Sequence, residues 1–354
     1  MMLLRADAGV RIGSGHVMRC VALAQAWRDA GRQAVFVTAT PSSALEALVR
    51  AERMDVRCLS AVPGSDEDIA QTLEIARAHG ASRAAVDGYH FGAEYQRALR
   101  GSGLRVLAMD DDGHAGHYYA TWVLNQNRHA QEPLYAKREP STQLLLGTRY
   151  VLLRREWTRW RGWHRETPEV ARRILVTLGG GDPENVTLKV VHALRHSEPD
   201  GVEVEVVLGT HNPNGAEVRR ALQGSRVPVR LRCGATAMDE LMAWADLAVS
   251  AGGSTCWELA FMGVPSVAIM LAENQRPIVE ALDAEGAAVS LGWHAQCSPG
   301  DIASAVRRLS TDSVRRAAMS RRGQALVDGE GAGRVVRALT AHEEAVYADP
   351  VSRE

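Results

Sequence analysis

The same local pattern occurs twice in this chain, once at its beginning and once near its middle. An apolar run at residues 1–4 begins a predicted strand at 2–6, which is followed by a glycine-containing loop and the helical pattern of 16–29. Residues 172–194, RRILVTLGGGDPENVTLKVVHAL, again indicate a strand, a glycine loop and a helix. A buried strand that leads through a tight loop into a helix is the unit of parallel α/β sheets. The sequence therefore predicts two doubly wound α/β domains.

Further segments rich in Val, Leu and Ala extend both patterns. They lack polar alternation, as is typical of parallel strands covered on both faces. The first half has predicted strands at 2–6, 34–38, 56–59, 84–89, 105–110 and 122–126, with helices at 16–29, 42–53, 66–79 and 92–100. The second half has further strands at 203–209, 229–234, 247–253 and 266–270, with helices near 185–196, 214–222, 237–245, 255–262 and 275–285 and a helical tail from about 300 to 345.

A charged, tryptophan-rich segment separates the two halves. It contains Pro168 and has no clean periodicity, so it indicates either a linker or an irregular surface excursion. The renewed alternation beyond it favours the linker. We therefore expect an N-terminal Rossmann-like domain at 1–155, a linker at 156–171 and a C-terminal Rossmann-like domain at 172–345.

Composition excludes several classes of protein. With 354 residues, of which 46% are hydrophobic, the chain can bury a sizeable core. Its formal net charge of −1 argues against a nucleic-acid or membrane-surface partner. The five cysteines are scattered and form no C-x-x-C pair, as expected of reduced thiols. Because no signal pattern or membrane-length apolar run is present, we expect a cytoplasmic protein. We also expect a monomer or a weak dimer.

His16 is the first candidate for chemistry. It lies where the first predicted helix begins, and ligands of open α/β sheets bind outside the carboxyl ends of the strands. A helix start also offers unpaired N–H groups to an anion. His16 is thus placed to transfer a proton to or from a phosphorylated substrate. A helix-capping or hydrogen-bonded surface histidine is the alternative.

A second candidate site lies in the sequence SAGGSTCWE, where a predicted strand leads into a helix. Gly252 and Gly253 would let the backbone approach a ligand closely. Ser254 and Thr255 can cap the helix and donate to phosphate oxygens. Glu258 can accept hydrogen bonds from a ribose diol. The alternative is an ordinary turn in which Glu258 offsets the helix dipole.

Two further clusters need an interpretation. Asn274 and Gln275 follow the next predicted strand and can bind a sugar or a water molecule, although such amides are often solvated or capping. The acidic run Asp110–Asp112 and the pair His114 and His117 have the residue types of a metal site, but no third ligand at helical spacing accompanies the histidines. We therefore expect no metal, and a structural or sugar-contacting role for the acidic run.

Taken together, these segments resemble the hydrolase family that acts on UDP-2,4-diacetamido-2,4,6-trideoxy-β-L-altropyranose in pseudaminic acid biosynthesis. That family is similar in fold to glycosyltransferases of the GT-B class, in which two Rossmann-like domains face each other across a cleft. The resemblance covers about residues 3–335. It rests on RADAGVRIGSGHVMRC (5–20), DGY (87–89), MDDD (109–112), VLNQN (123–127), LLLGTRYVLLRREW (144–157), LVTLGGGDPENVTLKV (175–190), SAGGSTCWELAFMGVP (250–265) and AENQ (272–275).

The resemblance implies roles for individual residues. His16 would be the catalytic histidine, and Asn274 would help to organise the reaction centre. Glu258 would bind the ribose of UDP. The expected substrate- and nucleotide-binding residues are Gly13, Gly15, Tyr89, Gly252, Gly253, Ser254, Thr255, Glu258 and Gln275. One departure is the third acidic residue, Asp112, where the family pattern has an apolar residue.

The implied reaction is hydrolysis of a UDP-linked deoxy-acetamido sugar, with water attacking C1 and inverting it. A neutral histidine, whose ordinary pKa is about 6.5, can take the proton of that water. Helix N-termini and backbone N–H groups can stabilise the departing diphosphate, so no cofactor is expected. Three alternatives stay open: a hydrolase of a related nucleotide sugar, a GT-B glycosyltransferase with an alcohol acceptor, and a catalytically silent nucleotide-sugar binding protein.

Overall fold

The structure is a computed structural model that describes residues 1–9, 13–195, 201–209, 212–223, 227–235 and 237–347. Its strands are β1 (Met2–Ala6), β2 (Ala34–Thr38), β3 (Asp55–Cys58), β4 (Arg83–Asp87), β5 (Arg105–Met109), β6 (Trp122–Asn125), β7 (Gln143–Leu146), β8 (Arg173–Thr177), β9 (Glu203–Leu208), β10 (Val229–Cys233), β11 (Leu247–Ala251), β12 (Ser266–Met270) and β13 (Ala288–Trp293). Its α-helices are α1 (Gly15–Asp29), α2 (Ser43–Ala51), α3 (Asp66–Ala78), α4 (Ala93–Gly101), α5 (Val186–Leu194), α6 (Gly215–Ala221), α7 (Met238–Trp244), α8 (Thr255–Phe261), α9 (Arg276–Ala284), α10 (Pro299–Thr311), α11 (Ser313–Leu326) and α12 (Gly331–Tyr347). Among these described helices, none combines the length and the apolarity needed to cross a membrane.

The chain forms two compact units. The first comprises Met1–Asp7, His16–Arg155 and the chain from Gly329 onward. The second comprises Ala8–Gly15 and Glu156–Asp328. Each unit is built on one parallel sheet.

The first unit contains a seven-stranded sheet in the order β3-β2-β1-β4-β5-β6-β7. Leu4 of β1 pairs in parallel with Phe36 of β2 on one side and with Ala85 of β4 on the other. Every residue of these three strands is buried, as their mainly apolar sequences predict, and this burial extends to the charged Arg5, Arg83 and Asp87. The chain extends the sheet in one direction from β1 and then in the other, so a topological switch point lies at the carboxyl ends of β1 and β4.

The second unit repeats this design with six parallel strands in the order β10-β9-β8-β11-β12-β13. Val249 of β11 pairs with Val176 of β8 and with Val267 of β12. The switch point of this sheet therefore lies at the ends of β8 and β11. The predicted fold class, two doubly wound α/β sheets, is confirmed.

Two edge strands, β7 and β13, escaped the sequence analysis. Each pairs with a single neighbour, β6 or β12 respectively. Their residues are mostly only partly buried. An edge strand needs no long apolar run, so the pattern that reveals the central strands is weak here.

The segment predicted as a linker, 156–171, packs into the second unit. Trp157 is buried, and the indole N–H of Trp160 donates to Asp239 at 2.8 Å. Arg165 donates to main-chain carbonyls at the ends of α7 and α8. These carbonyls lack partners within their own helices, so the arginine completes both helix ends. The segment is therefore a structural part of its unit.

The final helix, α12, belongs to the first unit, although the predicted second domain extended over 172–345. The Nε of Arg83 in β4 donates to the carbonyl of Leu339 at 3.2 Å. Arg334 donates to the carbonyl of Arg149 at 2.9 Å. An apolar helix face predicts burial but does not say against which sheet, so this boundary depends on tertiary packing.

Candidate active site

The switch point of the first sheet brings together the beginning of α1 and the end of β4. His16 is the second residue of α1, and Asp87 is the last residue of β4. β1 and β4 are adjacent, and the first turn of α1 lies at the carboxyl end of β4. The two side chains meet there, although 71 positions separate them in the sequence.

His16 and Asp87 form a buried pair. Their Nδ1 and Oδ1 atoms are 2.6 Å apart, and relative exposure is 7% for His16 and 0% for Asp87. An ionised carboxylate only accepts hydrogen bonds, so we assign the proton to Nδ1 as the donor. Nη2 of Arg19 also lies 3.0 Å from this Nδ1, but its two protons have acceptors on Asp87 and Asp111. Nε2 is then the proton acceptor of the neutral ring. This geometry suits a general base whose tautomer is fixed by its neighbour.

Arg19, one turn further along α1, binds the same carboxylate. Its Nε and Nη2 donate to the two oxygens of Asp87 at 2.9 and 2.8 Å. Its Nη1 and Nη2 also donate to Asp111, at 2.6 and 3.1 Å. Arg19 thus bridges two carboxylates that follow different strands.

Asp111 is held ionised by its neighbours. Burial alone would raise its pKa, but the charge and hydrogen bonds of Arg19 outweigh burial and hold that pKa well below its usual range. The amide of Asn127 donates to the carboxylate at 2.9 Å, and the amide of Asn125 donates to the Asp111 carbonyl at 2.9 Å. Two asparagines of the VLNQN segment therefore serve to fix Asp111.

Tyr89 covers this cluster. Its ring packs edge-on against His16 at 5.2 Å and against His114 at 5.4 Å, measured between ring centroids. Its hydroxyl donates to Asp111 at 3.3 Å, and the residue is 36% exposed. Tyr89 thus combines contact with the buried cluster and access to solvent, as a substrate-contacting residue requires.

His114 is a cationic residue next to Tyr89. Its Nδ1 lies 2.9 Å from Asp110 and 3.7 Å from Asp112. Burial lowers the pKa of His114, but the two carboxylates outweigh burial and raise it to about 9. At neutral pH this imidazole is therefore protonated.

Asp110, Asp112 and His114 are also the group of described residues whose ligand atoms lie close enough together to hold a metal ion. Asp110 is already engaged, since Oδ1 accepts the N–H groups of Asp112 and Gly113 and Oδ2 accepts the hydroxyl of Tyr118. A metal would also need His114 deprotonated. The contacts therefore fit an ion-paired turn better than a metal site.

In the second unit, the glycine turn after β11 is shaped by α9. A Cβ on Gly252 would lie 2.4 Å from Val279, whereas a Cβ on Gly253 would meet nothing within 4 Å. The absence of a side chain at Gly252 therefore leaves room for α9, whereas the space beside Gly253 is open. Ser254 precedes α8 without a side-chain capping bond, contrary to the capping expectation, and Thr255 is the first residue of that helix.

Gln275 ties this turn to the next one. Its Oε1 accepts the backbone N–H of Gly252 at 3.2 Å and that of Leu271 at 2.9 Å. Its neighbour Asn274 is exposed in a 3₁₀ turn, Glu273–Gln275. Glu258 is partly buried in α8. The amide oxygen of Gln275 thus stabilises the loop itself.

The remaining predicted residues lie in the loop after β1. Gly13 has a φ of 68° and exchanges two backbone hydrogen bonds with Gly9. This left-handed conformation favours glycine. Gly15 is the first residue of α1.

The structure thus joins His16 and Tyr89 in the first unit, and Gly252, Gly253 and Gln275 in the second. Sequence reasoning missed that Asp87 and Arg19 contact His16 and that Asp111 binds Arg19. A signal was available, because an acidic residue ends each of two neighbouring strands and an arginine lies three positions after the histidine.

Comparisons with known proteins agree with this architecture. Residues 174–330 match the family model of the glycosyltransferase family 28 C-terminal domain. An uncharacterized protein of Methanocaldococcus jannaschii is 24% identical over 76% of this chain and 55% of its own length. The spore coat polysaccharide biosynthesis protein SpsG of Bacillus subtilis is 30% identical over 48% of this chain and 50% of its own length. The chain thus spans about half the length of these curated relatives.

Two solved structures show the class of fold. MurG of Acinetobacter baumannii has a TM-score of 0.65 at 16% identity, covering 96% of this chain and 99% of MurG. The UDP complex of MnaA from S. aureus has a TM-score of 0.69 at 13% identity, with both chains fully covered. The chain therefore has the GT-B fold. Its second half in particular is similar to the C-terminal domain of family 28 glycosyltransferases.

Proposed function

We propose that this protein hydrolyses a UDP-linked deoxy-acetamido sugar to the free sugar and UDP, in nonulosonate biosynthesis of the pseudaminic acid type. The buried pair of His16 and Asp87 is the observation that carries the proposal. A histidine whose Nδ1–H is held by a carboxylate has Nε2 as its base, and such a group can activate water.

In the proposed reaction, a proton of water moves to Nε2 of His16 while the water oxygen bonds to C1 of the sugar. The bond from C1 to the bridging phosphate oxygen breaks, and its electron pair leaves with UDP. Attack opposite the leaving group inverts C1. A positioned general base contributes typically about 10²–10⁴-fold to such a step.

We assign the nucleotide to the second unit. Its match to the family 28 C-terminal domain supports this assignment. The similar MnaA structure contains UDP, which supports UDP as the nucleotide. Glu258 is proposed to bind the ribose, with Gly253, Ser254 and Thr255 near the phosphates. The open space beside Gly253 agrees with close approach of a ligand. Asn274 is proposed to organise the reaction centre.

Gly13, Gly15 and Tyr89 are proposed to lie near the sugar and phosphates. The exposed fraction of Tyr89 and its contact with His16 support its part in this assignment. The relationship to a polysaccharide biosynthesis protein of B. subtilis agrees with a sugar substrate.

A glycosyltransferase is the second candidate, because the matching family model is that of a glycosyltransferase domain. In that case His16 would take the proton of an alcohol acceptor. Incubating the purified protein with the UDP-sugar and no acceptor separates the candidates. We expect free sugar and UDP; turnover that begins only when an alcohol is added would favour the transferase, and binding without turnover would contradict both.

Reaction in ¹⁸O-water tests the bond that is cleaved. We expect the label in the anomeric hydroxyl of the sugar, read before ring opening exchanges it. Label in the phosphate of UDP would mean attack on phosphorus and would contradict the proposed role of His16.

A hydrolase of a related nucleotide sugar would share this mechanism, so the nucleobase needs its own test. A nucleotide that binds the folded protein raises its apparent stability. In a thermal-shift series with UDP, CMP, GDP and dTDP, we expect the largest increase in Tm with UDP. A larger increase in Tm with another nucleotide would mean that the substrate carries a different nucleobase.

A further inference from the structure

The proposed base is surrounded by more charge than the pair with Asp87 requires. Arg19 donates four hydrogen bonds to the carboxylates of Asp87 and Asp111. Burial lowers the pKa of Arg19, but the two carboxylates outweigh burial and hold that pKa well above its usual range. Asp111 makes no described hydrogen bond to the His16 ring. Its charge interacts with His16 directly, and Arg19 and Tyr89 link the two residues.

The described charges in this cluster do not balance when His16 is neutral. Two carboxylates and one guanidinium leave one net negative charge, in a place that is almost closed to solvent. When His16 takes up a proton, the net charge becomes zero. Because charges interact strongly where water is excluded, this arrangement favours the imidazolium that forms during catalysis.

We propose that Asp111 and Arg19 are positioning residues that hold the pair of His16 and Asp87 in place and supply the charge that its protonation neutralises. This inference rests on the proposed function, in which His16 accepts a proton. Arg19 fixes the carboxylate that orients the ring, and Asp111 offsets the charge of Arg19, which would otherwise oppose protonation of His16.

Among the described residues, the groups around His16 come from three elements and the turns that follow them. Arg19 lies on its own helix, Asp87 and Tyr89 lie at and after the end of β4, and Asp111 follows β5. The cationic His114 lies behind Tyr89 and is ion-paired with Asp110 and Asp112, so the latter two offset its charge.

The test follows the imidazole signal of His16 by NMR in protein labelled with ¹³C-histidine, assigned by its loss in H16Q. In D111N the cluster becomes neutral, and we expect the His16 titration midpoint to fall by about one pH unit. In R19Q the cluster carries two negative charges, and we expect the midpoint to rise by a similar amount. The double variant R19Q/D111N restores one negative charge, so its midpoint should return close to that of the parent.

These opposite shifts of the His16 midpoint distinguish a charge role from a merely structural one. A structural role does not predict a lower midpoint in D111N and a higher midpoint in R19Q. If D111N does not fold, R19Q still tests the inference through its raised midpoint. The double variant, which lacks both halves of the buried Arg19–Asp111 pair, should then reverse that rise. D112N is the matched control, because Asp112 is 46% exposed in the same acidic run, and it should leave the His16 midpoint unchanged.

Hydrolysis gives the second readout. We expect kcat of D111N to fall about tenfold, with KM within about twofold and the acidic limb of the pH profile moved to lower pH. Equal midpoints in the parent, D111N and R19Q would overturn the inference even if the parent hydrolyses the sugar. If the parent shows no hydrolysis but the midpoints shift as expected, the proposed function fails while the charge cluster stands.

Discussion

At the scale of single residues, the tautomer of His16 depends on one carboxylate. The 2.6 Å contact with Asp87 fixes the proton on Nδ1 and leaves Nε2 as the acceptor. An isolated histidine at the start of a helix would exchange between two tautomers and could equally serve as a helix cap. The candidate site is therefore a property of the pair.

Replacing His16 by Asn should remove the base and keep a side chain that does not charge. We expect release of free sugar to fall at least about 100-fold, since a general base contributes about that much. UDP affinity should stay within a few fold, because the base contacts water and not the nucleotide. Turnover and isothermal calorimetry measure the two quantities.

H117N is the matched control for this change, because His117 is a partly exposed histidine of the same unit that pairs with Glu139 at 3.1 Å. It should retain parental turnover. If H16N retained more than a tenth of that turnover, another residue would have to be the base.

Glu258 is the residue that tests the nucleotide assignment. E258A should weaken UDP binding by about 1–3 kcal/mol, the range for leaving a hydrogen-bonded partner of a charged group unpaired. The effect should appear mainly in KM. E280A is the control, since Glu280 is an exposed residue of α9. Equal UDP affinity in calorimetry for E258A and the parent would remove Glu258 from the ribose site.

At the scale of elements, the turn after β11 owes its shape to the helix behind it. The side-chain oxygen of Gln275 accepts two backbone N–H groups, that of Gly252 after β11 and that of Leu271 after β12. Val279 leaves no room for a side chain at Gly252. The turn is therefore held by packing and hydrogen bonds within the protein, which suits a preformed binding loop.

G252A should destabilise the second unit by about 1–3 kcal/mol, because the added Cβ overlaps Val279 and forces a backbone shift. G253A is the matched control for stability, since a Cβ there meets nothing within 4 Å. Thermal and urea unfolding would measure both. If the two variants unfolded at the same temperature, α9 would not be what constrains the turn.

At the scale of the whole molecule, stability should depend on pH at both ends of the range. Asp7 and Asp111 have depressed pKa values: burial would raise them, but hydrogen bonds and nearby charges outweigh burial. Groups of this kind stabilise the fold above their unfolded-state pKa, about 3.9, and lose that contribution as the pH falls. His114 acts in the opposite direction, because its pKa is raised to about 9.

The raised pKa of His114 predicts how its contribution to stability changes with pH. Its stabilising contribution is complete below the unfolded-state value of about 6.5 and is lost as the pH rises through about 9. The free energy of unfolding of the parent should therefore exceed that of H114Q by the largest amount at pH 6. This difference should become smaller by pH 9.5. Urea unfolding at both values measures it. A gap that widened with pH would contradict the ion pair with Asp110.

Activity should not depend on a divalent metal. The ligand atoms of Asp110 and His114 are engaged in a charged pair, and the proposed chemistry uses protein groups alone. We expect full hydrolysis in excess EDTA. Loss of activity that Mg²⁺ or Mn²⁺ restores would make Asp110, Asp112 and His114 a metal site and would require a different mechanism.

The amino-acid sequence by itself determined the local structure of this protein. Continuous apolar runs and glycine turns predicted the central strands and most helices, because burial on both faces leaves a strong pattern. The half-exposed edge strands β7 and β13 left no such pattern. Likewise, the segment 156–171 looked like a linker because its buried contacts are made by long side chains such as Trp157 and Arg165.

Only the tertiary structure decided which distant groups meet. Asp87 and Asp111 lie 71 and 92 positions from the α1 residues His16 and Arg19 that they bind. Parallel strand order places their carboxyl ends side by side, and strand order is a long-range choice. The same holds for α12, whose apolar face could have covered either sheet and packs in the first unit. Periodicity records that a residue is buried, whereas the partner against which it is buried is set by the fold.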